Sequence, residues 1–263
     1  MSPTLIIVIS AALSGAMGFA FWLQKRTENA GWVDAVWTFA LGLAGVVYAA
    51  AAFRHGSNVR ALLVAGLVAA WSLRLGFYIV GRTRRGTEDA RYAQFRRDWG
   101  PDFDRRMLIF LQIQALAAAF LALSMGLAAG NPAPLGVLDG LALLVLLVAI
   151  LGAGIADAQL GRFRADPTNR GRVCAVGMWA RSRHPNYFFE WLGWCAYPLF
   201  AVSRVHLLGL LALSGPAFMY WLLVHVSGIP PLEAQMLRSR GKAYRDYQAT
   251  TPAFFPKLFR ISR

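Results

Sequence analysis

The sequence predicts an all-α polytopic membrane protein of about seven transmembrane helices. Three observations carry this: 57% of the 263 residues are hydrophobic, only 15% are charged, and the mean hydropathy is +0.46. Soluble domains hold roughly half apolar and a quarter charged residues, so a soluble enzyme is excluded. The 27 Lys and Arg against 13 Asp and Glu sit in short segments between apolar runs. That pattern fits a membrane surface and not a nucleic acid.

A bilayer core takes about 20 apolar residues per helix. Windows of that length predict spans near 4–24, 32–53, 60–81, 108–129, 136–156, 186–203 and 205–226. The first carries neither a basic n-region nor a small-residue cleavage pattern and is expected to be a retained helix. The sixth and seventh are interrupted by Pro198, Ser203, Arg204 and His206, and Gly228-Ile229-Pro230-Pro231 closes the last. Gly42 with Ala44, and Gly152 with Gly154, permit close helix packing within or between protomers. Oligomeric state is open.

Eight Lys/Arg fall in 82–107, six in 157–185 and seven in the tail 228–263. With seven spans all three segments lie on one side, which the positive-inside rule makes cytosolic. The N-terminus is then outside and the C-terminus cytosolic, in a single membrane domain over 1–263. The Arg54–Arg60 loop, placed outside, is a mild exception. Within 82–107 the stretch Gly86–Arg106, with Tyr92, Phe95, Trp99 and Phe103, predicts short interfacial helices.

Cys174 and Cys195 suggest no disulfide framework or CxxC motif. His55, His184, His206 and His225 lack metal-ligand spacing, so no metal site is expected.

Ionisable residues inside spans are costly and usually mark a site or a structural pair. Asp34, Arg74, Asp157 and Glu190 each fall within about two turns of the cytosolic end of a predicted span, as for one cavity open to the cytosol. Asp139, near the outer end of its span, reads as a helix-start residue. Arg74, Tyr78, Arg82 and Arg85 share an arc of about 80° if their helix continues past the interface. Asn186 and Glu190 are an i, i+4 pair, and Asp157 and Arg164 lie two turns apart. Arginine forks suit phosphate, and carboxylates suit ribose hydroxyls or an amide. A phosphorylated cofactor fits, and with no GxGxxG or P-loop it must be held by helices and loops.

The stretch Trp71-Ser-Leu-Arg-Leu-Gly-Phe-Tyr-Ile-Val-Gly-Arg82, then Glu88-Asp-Ala-Arg-Tyr92, then Arg183-His-Pro-Asn-Tyr-Phe-Phe-Glu190 with Gly193, resembles the steroid 5α-reductase superfamily, in particular its bacterial membrane members. The resemblance covers nearly everything after about residue 28. It implies NADPH-dependent reduction of the C=C bond of a 3-oxo-4-ene steroid or similar apolar enone, at a cytosol-facing site in the bacterial inner membrane. It also implies cofactor contacts at Arg74, Tyr78, Arg82, Arg85, Asp157, Arg164, Asn186 and Glu190, with Arg172, Glu233 and Tyr244 as further ones. Glu190 belongs to the face near the nicotinamide.

The animal enzymes of that family polarise the ketone with a Gln-Glu pair and a Tyr. Here those places read Val33-Asp34 and Trp71, so Asp34 is expected to act as a protonated acid and Trp71 as a weaker N–H donor. The Arg-His-Pro-x-Tyr motif, with Glu233, Tyr244 and Tyr247, also resembles isoprenylcysteine carboxyl methyltransferases. Those bind S-adenosylmethionine and lack the arginine stripe. A non-enzymatic lipid-binding protein is the remaining alternative.

Overall fold

The computed structural model describes residues 2–54, 58–86 and 90–257. His55, the Glu88 and Asp89 of the loop motif, and Arg260 and Arg263 of the tail lie outside the described residues. The described residues are helical, with no strand beyond one isolated bridge between Ser203 and His206. They form α1 (Pro3–Thr27), α2 (Gly31–Arg54), α3 (Asn58–Arg85), α4 (Ala90–Trp99), α5 (Phe103–Ala129), α6 (Val137–Ala165), α7 (Pro185–Trp194), α8 (Ala196–Ala201), α9 (Ser214–Trp221), α10 (Ile229–Arg240) and α11 (Lys242–Thr250).

Six helical segments among the described residues are long and apolar enough to cross a membrane: Pro3–Thr27, Gly31–Arg54, Val59–Arg85, Arg91–Ala129, Val137–Ala165 and Leu207–Arg240. The protein is an integral membrane protein. The expected span over 186–203 separates six from seven, because it is divided at Cys195 into the short helices α7 and α8. The last segment is composite: a 3-10 stretch over Leu207–Leu213, α9, a π-helical turn over Leu222–Val226 and α10 follow one another. Gly228 separates the last two, and an added Cβ there would lie 2.4 Å from the Leu223 carbonyl oxygen. Pro230 and Pro231 lack N–H groups and suit only the first turn of the helix they open.

The chain divides into two compact units, Met1–Leu143 with Ala196–Gly215, and Leu144–Cys195 with Pro216–Arg263.

In the first unit α1, α2, α3 and α5 pack together. Ser2 accepts from the Leu5 amide at 3.2 Å and Pro3 opens α1, a favourable N-terminal pairing. Glu28 ends the helix in the left-handed region (φ 51). Asn29 then accepts from the Gly31 amide at 2.9 Å and starts α2. The small residues act within the chain: a Cβ on Gly42 would lie 2.2 Å from Ser72 Oγ, and one on Gly45 would lie 2.5 Å from Met125 Sδ. Ser72 Oγ donates to the Thr38 carbonyl at 3.1 Å, adding a polar tie across the α2–α3 seam. Leu41, Val64, Leu111 and Leu121 are buried.

In the second unit the segment before α7 is bound to the tail. The Arg183 amide donates to Pro252 O and the Lys257 amide to Arg181 O, both at 2.9 Å. Ser182 Oγ donates to Phe254 O at 2.9 Å, and Tyr247 OH donates to Trp179 O. Trp179 Nε1 donates to Ala156 O at 3.0 Å, which ties this segment to α6. Gly152 of α6 meets the Phe189 ring, so this close approach too is within the chain.

Candidate functional site

At the end of the first unit where α1 stops and α2 starts, Asp34 sits in the first turn of α2. Arg91 Nη2 donates to its Oδ2 at 2.5 Å and Tyr92 OH donates to its Oδ1 at 2.8 Å. Arg82 Nη2 approaches Oδ2 at 3.8 Å. Asp34 and Arg91 side chains are 21% and 20% exposed, while Tyr92 is buried. Lys25 reaches Asp104 at 2.6 Å and Asn29 Nδ2 reaches Thr83 O at 3.4 Å, so the ends of α1 and α3 and the start of α5 meet here as well. α4 holds Arg91 and Tyr92 in place through its own aromatic face: Phe95 stacks on Trp99 with ring centroids 4.5 Å apart and meets Phe110 of α5.

Both Asp34 oxygens accept, one from a guanidinium and one from a phenol. The expected partner, Trp71, is not the group found beside it. Ser72 lies against Gly42, and Thr83 lies against Gly31. On that register Trp71, buried in α3, sits near the level of Gly42, about 12 Å deeper than Asp34 at 1.5 Å per residue. The ring beside Asp34 is Tyr92.

α3 runs unbroken to Arg85. Arg74, Tyr78, Arg82 and Arg85 therefore do share one face, with Arg82 and Arg85 exposed and Arg74 and Tyr78 half-buried. A helix, α4, forms within the Gly86–Arg106 stretch where short interfacial helices are expected. Arg91 and Tyr92 were legible only as parts of a motif. The signal that could have found them is the position of Tyr92 on the aromatic face of α4, at i, i+3 and i+7 with Phe95 and Trp99.

The second unit holds the other expected residues. Asn186, in the first turn of α7, donates from Nδ2 to Asp157 Oδ1 at 3.2 Å. Asp157 is buried, Glu190 is half-buried one turn along α7, and Arg164 and Arg172 are exposed. Glu233 is taken up internally. Its Oε1 accepts from Arg183 Nε at 2.7 Å and from His184 Nε2 at 3.1 Å, and its Oε2 accepts from Gln248 Nε2 at 2.8 Å. Arg183 also donates to Thr251 O at 2.5 Å.

Burial holds the His184 imidazole below its ordinary value, against the opposing hydrogen bond and charge of Glu233. A neutral ring that donates from Nε2 meets both conditions. Burial, reinforced by the charge of Glu233, pushes the Tyr244 hydroxyl up, and Tyr244 is packed inside against Tyr247. Glu233 and Tyr244, expected at the cofactor, form part of the clasp between the tail and the segment before α7.

At the opposite end of α3, Arg60 and Asp139 form a buried pair. Arg60 Nε and Nη2 donate to the two Asp139 oxygens at 2.6 and 2.9 Å. The remaining donors reach the Asn131, Ala133 and Pro134 carbonyls at 2.6, 2.7 and 3.1 Å. Asp139 accepts from the Gly136 amide at 2.8 Å, as a helix-start residue does. Of the two arginines of the Arg54–Arg60 loop, Arg60 is therefore neutralised inside the fold, and Arg54 is exposed. Among the described residues no three His, Cys, Asp or Glu side chains converge as a metal site would require.

Residues 20–251 match the sequence model of a family described as "protein of unknown function (DUF1295)". The chain belongs to this family. It is also similar to an uncharacterized protein of Schizosaccharomyces pombe, 28% identical over 283 aligned residues that cover 95% of this chain and 80% of that protein. No solved structure matches. The family match takes in the Asp34 cluster, the α3 arginines and the Glu233 clasp alike.

Proposed function

We propose that this chain is an NADPH-dependent membrane reductase of the steroid 5α-reductase type. It would saturate the C=C bond of a 3-oxo-4-ene steroid or a similar apolar enone. The observation that carries the reading is the Asp34–Arg91–Tyr92 cluster at the foot of the α3 arginine stripe. A phenol held by a carboxylate lies beside cations suited to phosphates, at the end of a bundle suited to an apolar substrate.

NADPH carries three phosphate groups, and the α3 side chains Arg74, Arg82 and Arg85, with Tyr78, fit them through charge-assisted hydrogen bonds. From the family resemblance alone, Asn186, Asp157 and the exposed Arg164 and Arg172 of the second unit are further candidates. The cofactor, when bound, would supply a hydride to the β-carbon of the enone, and a proton from water at the α-carbon would complete the saturation. Negative charge then develops on the ketone oxygen, and a preorganised donor in a dry site contributes most to lowering that barrier. Tyr92 OH is the proposed donor. Its single hydrogen, which Asp34 Oδ1 accepts at 2.8 Å in the ligand-free chain, turns to the ketone oxygen when the enone binds, and Arg91 offsets the Asp34 charge that is left.

The methyltransferase reading has less support. The groups it relied on, Arg183, His184 and Glu233, are engaged with one another and with the tail.

The same proposal takes seven crossings, with the N-terminus outside and loops 82–107 and 157–185 and the tail on the cytoplasmic face of a bacterial inner membrane. Support comes from the clasp within the second unit. Arg181 and Arg183 bond to Lys257 and Pro252, so these segments share a side and the chain between them crosses an even number of times. The segment beginning at Leu207 supplies one crossing, and α7 with α8 supplies the other.

The test is turnover of a 3-oxo-4-ene steroid by the detergent-purified protein with NADPH. Tyr92→Phe is expected to lower kcat with little change in NADPH affinity. Equal kcat removes Tyr92 from the chemistry.

A further inference from the structure

The Asp34 end of the first unit also holds two buried polar groups without partners. Gln24, in the last turn of α1, is 1% exposed, and among the described residues neither its Oε1 nor its Nε2 meets a hydrogen-bond partner. Thr83, near the end of α3, is 5% exposed and its Oγ1 has none. Several buried polar side chains elsewhere in the unit are satisfied: Ser72 by Thr38 O, Ser124 by Ala212 O, Asn131 by Phe200 O, and Arg60 by Asp139 and three carbonyls. A buried carboxamide with no partner opposes folding, and such groups mark places where something other than folding sets the residue.

The position of Gln24 says what it serves. α1 and α2 are joined through Glu28, Asn29 and Ala30. Gln24 lies three residues before the end of α1 and Asp34 three residues after the start of α2. Both therefore lie about 4.5 Å below the connection, at one depth. Gln24 follows Met17 and Ala20 along the buried face of α1, the helix that packs on α2 and α5. Thr83 Oγ1 lies 2.8 Å from where a Cβ on Gly31 would stand, at the first residue of α2.

A neutral side chain with two donor hydrogens and one acceptor does not select an ion. Asp34 and Arg91 already offset each other's charge. The matching group is an uncharged carbonyl, to which Nε2–H donates, with an N–H or O–H on the ligand completing the pair at Oε1. We infer that Gln24, assisted by Thr83, is a ligand-binding residue that recognises a carbonyl group of the molecule bound at the Asp34 end of the first unit. The inference rests on the reductase reading, under which that carbonyl belongs either to the nicotinamide carboxamide of NADPH or to the enone substrate.

The experiment compares wild type with Gln24→Leu and Thr83→Val, as full chains in detergent. It measures thermal stability without ligand, NADPH affinity, and KM and kcat for a 3-oxo-4-ene steroid. Gln24→Leu removes the unpartnered amide in favour of an apolar group of similar size, so the ligand-free protein is expected to melt higher than wild type. Either its NADPH affinity or its KM is expected to worsen about tenfold, the factor for one lost hydrogen bond in a dry site. Loss confined to NADPH assigns the carbonyl to the cofactor, and loss confined to KM assigns it to the substrate. Thr83→Val is expected to move the same constant by a smaller factor. Unchanged NADPH affinity and KM in Gln24→Leu would overturn the assignment while leaving the reductase reading intact. A wild-type protein inert to both NADPH and enones overturns the reductase reading and this assignment with it.

Discussion

The two ends of α3 use the same pair of residue types to opposite effect. At one end Arg60 is 4% exposed, and its donors are consumed by Asp139 and three carbonyls. At the other, about 33 Å away along the helix, Asp34 is 21% exposed, shares its two oxygens among Arg91, Tyr92 and Arg82, and lies at the level of an unpartnered amide. The first arrangement is closed and has nothing left to offer a ligand. The second has excess positive charge, the Tyr92 phenol and unfilled hydrogen-bonding capacity. On the proposed reading, an Arg–Asp pair in a membrane helix is structural or chemical according to whether its hydrogen bonds are exhausted by the fold.

The sharpest way to break this contrast is to remove one member at each end. Asp139→Ala leaves the Arg60 guanidinium buried without its counter-charge and is expected to cost about 3–5 kcal/mol of stability. This would be read as a large fall in melting temperature with NADPH affinity unchanged in the protein that remains folded. Asp34→Asn keeps the size of the side chain at a position that is 21% exposed and is expected to cost less, about 1–3 kcal/mol, because Arg91 keeps an acceptor there. Its turnover should fall by about a hundredfold as Tyr92 loses its carboxylate partner. If the two substitutions have the same balance of stability and activity losses, the distinction between the ends is void.

A smaller effect sharpens the cofactor side. Arg74→Ala and Asn186→Ala are each expected to weaken NADPH binding about tenfold, the worth of one charge-assisted or amide contact, with the fold retained. Equal affinity for NADPH in both variants would remove them from the cofactor.

The smallest effect concerns the closed clasp of the second unit, which resembles the Arg60 end in having its partners used up. Burial lowers the His184 imidazole from 6.5, so the unfolded chain binds the proton more readily than the folded one. Stability is then full above about pH 6.5 and declines as the pH falls below it. His184→Gln, which keeps a donor to Glu233 and cannot take a proton, should flatten that part of the stability profile. An unchanged slope would mean that His184 does not titrate there.

The helices were legible because apolar runs of bilayer length need no tertiary knowledge to be recognised. α1, α2, α3 and α6 lie where hydropathy placed them. The divided segment 186–203 was not legible, because its break at Cys195 follows from packing and not from composition. The α3 stripe could be read from spacing alone, since four residues on one helix share a face by geometry. The pairing of Arg60 with Asp139, 79 positions apart, and the return of Arg91 and Tyr92 onto Asp34 could not. Both depend on which helices become neighbours, and a single sequence carries no record of that. Glu233 illustrates the converse: a polar residue in a recognisable motif looked available to a ligand, and its own fold had already engaged it.

The most direct test of the account is the thermal stability of the purified protein in detergent with NADPH, NADH or S-adenosylmethionine, for wild type and for Arg82→Ala at the foot of the stripe. A ligand of the native state raises apparent stability by mass action. The account predicts a rise with NADPH that S-adenosylmethionine does not reproduce and that shrinks in Arg82→Ala. A rise with S-adenosylmethionine alone, or none with any of the three, would contradict it.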